Sequence, residues 1–412
     1  MRSVLLRLAG FTGAPILSAL APFILLPVIS RIAGAEGWGN FATGQSIGVL
    51  GMVVVMFGWS VVGPVRIAQT DDPALRAAIL RESLATRSVT AVVGLLLAGV
   101  ATALISGPDF RVESVLMALA MTLGGLSPAW YCIGSGRPID LMIYDAGPKL
   151  ASALISLPAL LLGAPVGLYP VLLAVFTVVG ALVHARIALR PYPADRLGIR
   201  ATARVLRRLL PTAAIDAAGN AYGSTPVPIA TAGLPPAQAS SFASADRLYR
   251  VGILVVIALG NAFQAWVLEP QAVSRVRRHL AAIASHAALG LFGALMLVLL
   301  GPWASAFVFG ADVAADPLAC TLFGFAFFCI STGTPLIRNV LIPHGRYRYV
   351  LTTTITASVV GLTTMGIGAA SDSEGLIALG VAAAEATSLL MLALVAVPLL
   401  VADAARRTTS AP

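Results

Sequence analysis

The chain has 412 residues, of which 58% are hydrophobic and 11% charged, with a formal net charge of +9. An average soluble domain carries roughly a quarter charged residues, so this composition excludes a soluble globular protein and reads as an integral membrane protein. The positive balance fits loops that face an anionic leaflet, which leaves nucleic acid without support as a partner. The three cysteines, Cys132, Cys320 and Cys329, have no CxxC spacing and the four histidines are scattered, so no disulfide frame, metal site or cofactor is expected.

A membrane-crossing helix needs about 20 mainly apolar residues. Twelve windows are predicted, near residues 10–30, 41–63, 88–106, 114–134, 148–164, 168–189, 209–231, 241–267, 281–300, 317–337, 350–369 and 375–401, the fifth short and the seventh polar. The expected fold class is all-α: a polytopic membrane protein of about 12 transmembrane helices in two six-helix lobes.

At the start of the chain Ala19-Leu20-Ala21 has the form of a signal-cleavage motif, but Pro22 follows and the apolar run continues, so a retained first span is expected. Pro15, Pro22 and Pro27 bend that span. Arg31 closes it, either as an anchor at the outer headgroups or as a substrate ligand. Residues 70–87 place Asp72 as an N-cap and Pro73 in the first turn, which predicts a short amphipathic helix on the inner surface. Trp130 and Tyr131 are expected in an inner interfacial belt, with Gly134 and Gly136 closing their helix.

The longest polar interruption, residues 186–208, contains seven basic residues and divides the spans six and six. The expected organisation is an N-terminal lobe at 1–190, a cytoplasmic basic linker at 191–208 and a C-terminal lobe at 209–412. Six spans per half make any internal repeat parallel. A weak one is visible between residues 29–46 and 229–246, each with a glycine-containing turn followed by a phenylalanine that opens the next span.

In the second half, span seven carries Asp216, Asn220 and Tyr222, span eight carries Asn261 and Gln264, and span twelve carries Glu385. Asp216 is read as a cavity residue or the partner of an arginine, and the asparagines as cavity-lining or as interhelical hydrogen-bond donors. Glu385 is a candidate for proton or sodium coupling, or for balancing an arginine. The stretch "SADRLYRVGILVVIALGNAF", residues 244–263, sets Asp246, Arg247 and Arg250 against an apolar run. A charge at the bilayer centre costs about 2.5 to 3.5 kcal/mol on insertion scales. If the span begins at Ser241, the two arginines lie about 9 and 14 Å below its outer end and line a wet cavity. If it begins near Val251, Asp246 and Arg250 pair at i, i+4 in the headgroup region.

Lysine and arginine near span ends favour the cytoplasm. A cytoplasmic start places 23 of the 27 basic residues inside, among them Arg66, Arg76, Arg81, Arg87 and Arg338, with Arg31, Arg111, Arg247 and Arg250 outside the rule. Both termini are then cytoplasmic.

The residues Arg31, Gly34, Gly37, Gly39 and Phe57-Gly58 in "LPVISRIAGAEGWGNFATGQSIGVLGMVVVMFGWSVVGPVRIAQ" resemble the first two spans of Wzx-type flippases of lipid-linked oligosaccharides, in the MATE-like exporter superfamily. "LSPAWYCIGSGRPIDLMIYDAGPKLASAL" is similar to that family's element at the inner end of span four, with Ala129 where the family often has Glu, and "SADRLYR" resembles its eighth span. The resemblance implies two six-helix lobes around a central cavity that opens alternately to either side. It also implies an undecaprenyl-diphosphate-linked oligosaccharide as substrate, moved from the inner to the outer leaflet of a bacterial cytoplasmic membrane for surface polysaccharide biosynthesis.

The expected partners are that lipid-linked substrate, the bilayer, H+ or Na+, and polysaccharide-assembly proteins. The substrate would meet Arg247, Arg250, Arg31, Asn220, Tyr222 and Asn261, with Asp216, Asp246 and Glu385 for ion coupling or charge balance. A cation-coupled drug exporter of the same superfamily is the alternative, although such proteins use acidic residues in the first lobe and spans one to four have none in their interiors. A polysaccharide polymerase is the weaker rival, since the largest outer loop, near residues 301–316, offers only Asp312 and Asp316, and no enzyme activity is expected.

Overall fold

A computed structural model describes residues 24–193, 197–267 and 275–408. The described residues form helices and no strand. Residues 10–23 of the first expected span, with Pro15, Pro22 and the Ala19–Ala21 motif, lie outside them. In chain order the helices are α1 (Leu26–Met56), α2 (Trp59–Ala68), α3 (Pro73–Ile105), α4 (Arg111–Leu123), α5 (Ala129–Gly134), α6 (Gly147–Leu161), α7 (Leu168–Leu189), α8 (Ile199–Ser224), α9 (Pro226–Gly233), α10 (Pro236–Val267), α11 (Arg275–Phe309), α12 (Pro317–Pro335), α13 (Tyr347–Ala370) and α14 (Glu374–Thr408).

Eight helical stretches among the described residues are long and apolar enough to cross a membrane. The protein is therefore a multi-pass membrane protein. The fifth, seventh and eighth predicted windows correspond to α6, α8 and α10, which are helical but not among those eight. Apolar side chains on the outer faces match a lipid environment: along α3, Val92, Leu96, Val100 and Leu104 are all exposed.

Two compact units divide between Thr231 and Ala232, later than the linker expected at 191–208. The reason is that α8, expected to open the C-terminal lobe, packs on α1, α2 and α3.

In the first unit α1 is kinked at Gly34, whose φ of 60° and ψ of −164° lie outside the helical region. A side chain there would be strained, which is why the turn between spans one and two falls on glycine. Beyond the kink Gly44, Gly48 and Gly51 lie on one side of α1, and a Cβ on each would collide with Ser114, Met121 and Thr122 of α4 respectively. The small residues let two membrane helices approach closely. Phe57 and Gly58 are both left-handed, with φ of 45° and 80°, and they break span two before α2.

The amphipathic helix expected at 70–87 is not separate. It continues into the third span as the single 33-residue α3, because nothing between Arg87 and Ser88 interrupts the helix. Asp72 does cap it, Oδ1 accepting from the Ala74 amide at 2.9 Å, with Pro73 at the first position. Trp130 and Tyr131 are likewise not belt residues. They are 2% and 8% exposed, in a core with Trp59, Ile79, Leu80, Val205 and Leu209. Trp130 reaches this position by lying against Gly63, where a Cβ would overlap its ring. Gly134 does end its helix, α5, and Gly136 follows at φ 70°.

In the second unit α10 starts at Pro236, earlier than either expected start, and runs 32 residues. Phe242 and Tyr249 pack in tilted contact against Phe323 of α12 at ring separations of 5.4 and 5.2 Å. The helix after α12 widens into a π-helical turn over Leu336–Leu341. The internal repeat has a local counterpart in structure: Phe41 and Phe242 are both fully buried, following the turns at Gly34 and Gly233.

Candidate functional site

The second unit gathers the charged residues of span eight on one helix. Because α10 begins at Pro236, Arg247 lies about 16 Å and Arg250 about 21 Å along it, well inside the helix. Asp246 is 1% and Arg247 5% exposed. Arg250 Nε donates to Asp246 Oδ2 at 2.5 Å across one helical turn, and the Arg250 side chain keeps 30% exposure. The i, i+4 pair therefore forms, but within the helix and not above its start. One carboxylate and two guanidinium groups leave this turn with a net positive charge.

Asn261 is three turns further along α10, on the side that carries Arg250, about 16 Å away. Its Oδ1 accepts from Nη2 of Arg338 at 2.8 Å. Arg338 stands on the π-helical turn after α12, over Gly260, where a Cβ would meet its Nη1 at 2.6 Å. The sequence places Arg338 with the loop arginines. Here it is instead a second cation held against α10, and the signal for it is the apolar run on both of its sides, "CISTGTPLIRNVLIP".

At the other end of α10, Ser241 donates to Glu374 at 2.9 Å and accepts from the Asp316 amide at 3.0 Å. Glu385 is half-buried on α14 and makes no hydrogen bond or ion pair among the described residues. Among the described residues it balances no arginine.

The other predicted site residues belong to the first unit. Asp216 on α8 is not paired with an arginine among the described residues either. Its Oδ2 accepts from Ser60 of α2 at 2.6 Å and its Oδ1 from Asn220 at 3.1 Å, so two neutral donors one turn and one helix away take the place of a cation. Asn220 is thereby held on its own helix, also donating to the Asp216 carbonyl at 2.8 Å. Tyr222 is half-buried on the same helix. Arg31 is exposed and folds back to donate to the Pro27 carbonyl at 3.1 Å, the carbonyl one turn earlier.

Sequence reasoning also passes over Arg87. It is not a loop residue: it is 1% exposed, and its Nη1 donates to the carbonyls of Gly125 at 3.0 Å and Ser127 at 2.9 Å, with the guanidinium 5.7 Å from the Trp130 ring. Those carbonyls belong to the break between α4 and α5, where the chain passes through one tight turn and Ser127-Pro128. Close by, Asp145 accepts from Ser127 at 2.7 Å and Lys149 at 2.9 Å. No group of three or more His, Cys, Asp or Glu able to hold a metal occurs among the described residues.

No protein-family model and no curated protein matches the sequence. Solved structures do match. The inward-facing conformation of a multidrug resistance MATE family transporter of the MOP superfamily aligns with a TM-score of 0.59 and 16% identity, over 96% of this chain and 96% of that one. The eukaryotic MATE transporter AtDTX14 aligns with a TM-score of 0.54 and 14% identity, over 95% of each chain. The fold is MATE-like along essentially the whole chain.

Proposed function

We propose that the protein is an alternating-access translocase for an anionic lipid-linked substrate, of the undecaprenyl-diphosphate-oligosaccharide class, carried from the inner to the outer leaflet of a bacterial cytoplasmic membrane. The observation that carries this reading is the cationic side of α10: Arg250 beside the buried Asp246 and Arg247, and Arg338 held by Asn261 three turns away. Guanidinium groups suit a diphosphate because its oxygens accept forked hydrogen bonds. Fixed cations also lower the cost of drawing a multiply charged headgroup through a low-dielectric interior. The fold supports the transport part of the reading by likeness alone. Arg31, Asn220 and Tyr222 stay in the proposal as sugar or headgroup contacts, and polysaccharide-assembly proteins as the consumers of the product.

The second reading is cation-coupled export of a small molecule. Glu385 favours it, as a carboxylate inside a membrane-crossing helix that no described residue pairs, since intramembrane carboxylates are often proton or ion relays. One assay separates the two. Proteoliposomes are loaded with a fluorescent undecaprenyl-diphosphate oligosaccharide, and its appearance in the opposite leaflet is followed by quenching. Flipping by the wild type, and its fall by about tenfold or more in R247A/R250A at equal protein level, are expected, which is at least 1.4 kcal/mol of lost stabilisation. Full flipping by the double variant removes α10 from the site. A wild type that flips nothing, yet exports a cationic dye against an imposed proton or sodium gradient, replaces the first reading by the second.

A further inference from the structure

The first unit has a groove that the transport reading does not use. It encloses about 650 Å³ between the first half of α3, the end of α7 and the start of α8, with Leu84, Val89, Leu189, Tyr192 and Ile199 among its walls and Arg81 at its edge. Ligand pockets of this size hold a headgroup and part of a chain, since typical ones run from about 300 to 1,000 Å³.

Two features select the occupant. The wall is mostly apolar, with Ser88, Tyr192 and Thr202 among its polar members, and runs on to the bare outer face of α3, where Val92, Leu96 and Leu97 are exposed, so an acyl chain extends from the groove along a surface that is already lipid-facing. Arg81 is half-buried and has no carboxylate partner among the described residues. The acids next to it are committed elsewhere: Glu82 accepts from Arg66 at 2.9 Å, Asp71 lies 3.8 Å from Arg76, and Asp72 caps α3. A guanidinium with no carboxylate partner among the described residues, on a largely apolar wall whose lining residues Leu189 and Ile199 are followed in sequence by the exposed Arg190 and Arg200, complements one phosphate attached to a hydrocarbon chain. Basic pockets between membrane helices hold anionic lipid headgroups in this way.

We infer that the groove between α3, α7 and α8 binds an anionic phospholipid, with its phosphate on Arg81 and an acyl chain along Leu84, Val89 and Leu189. The lipid would tie the end of α7 to the start of α8, and is a cofactor of the fold rather than the transported substrate.

Native mass spectrometry of the full chain, with matched phosphatidylglycerol and phosphatidylcholine, tests this. The wild type is expected to retain one phosphatidylglycerol about fivefold more strongly than phosphatidylcholine, the factor that roughly 1 kcal/mol per arginine at an anionic surface corresponds to. R81Q should lose the preference and R81K keep part of it. A85W should expel the lipid by filling the groove with the charge intact, while all three variants unfold like the wild type in phosphatidylcholine alone. Unchanged preference in both R81Q and A85W overturns the inference. So does displacement of the lipid by excess inorganic phosphate, which would make the groove a free-anion site. None of these readouts depends on transport, so failure of the flipping assay leaves this test intact.

Discussion

Arg87 and Arg250 both stand in long helices, yet the two regions use a guanidinium differently. Arg87 is withdrawn to 1% exposure and faces backbone: the carbonyls of Gly125 and Ser127, which the break before α5 leaves without helical partners, share its Nη1. The span-four break is stable because a side chain from α3 replaces the missing amides. Arg250 faces a carboxylate on its own helix, and it is the acid, Asp246, that is withdrawn to 1% while the arginine keeps 30% of its side-chain exposure. The first arrangement fixes backbone geometry; the second keeps a cation at an accessible edge of α10. Burial of an arginine in a membrane helix therefore does not by itself mark a transport site, and the identity of its acceptor is the better guide.

The largest effect that sharpens this contrast is expected at Arg87. R87M keeps the apolar stem but orphans two buried carbonyls, each worth about 1 to 3 kcal/mol when left unsatisfied. A loss of about 3 kcal/mol is expected, read as a steep fall in thermal unfolding temperature and in monodisperse protein from detergent. Near wild-type stability in R87M would mean that the break does not depend on this side chain, and the contrast with Arg250 would lose its first half.

A smaller effect is expected at α10. R250A leaves Asp246 buried beside one fewer cation, and with Arg250 partly exposed the cost is about 1 to 2 kcal/mol. The neutral double variant D246N/R250Q should recover most of that stability, because no charge is then left uncompensated, while flipping stays low. Recovery of flipping together with stability would show that the pair serves folding alone, as Arg87 does.

Much of the architecture is legible in the sequence because it rests on local pattern. The helical class, the weakness of the fifth and seventh windows, and the Asp72 cap each follow from composition or spacing within a few residues. The charge on span eight is visible too, but its helix starts earlier, since Pro236 opens it through a polar segment that hydropathy excludes, and it is not among the eight helices apolar enough to cross a membrane. What escapes is set by distant partners. Arg338 and Arg87 count as loop cations under the positive-inside rule, which weighs a basic residue without regard to what it touches. Arg338 meets Asn261 across 77 positions of sequence and Arg87 meets Gly125 across 38. Trp130 reads as a belt residue for the same reason: the glycine that admits its ring, Gly63, lies on another helix.

The smallest effect is a control on the helix that carries Arg87. Asp72 is exposed, and its Oδ1 accepts one amide, that of Ala74. D72A removes that acceptor from a terminus that water can reach, so the expected cost is about 1 kcal/mol or less, without change in flipping or in the phosphatidylglycerol preference of the nearby groove. The ratio between R87M and D72A, measured as thermal unfolding in the same detergent, then isolates what burial adds to a polar contact on α3. A D72A protein as unstable as R87M would locate the vulnerability in the start of α3 and not in the carbonyls of the span-four break, because fraying from residue 73 would reach Arg87 before the break itself were touched.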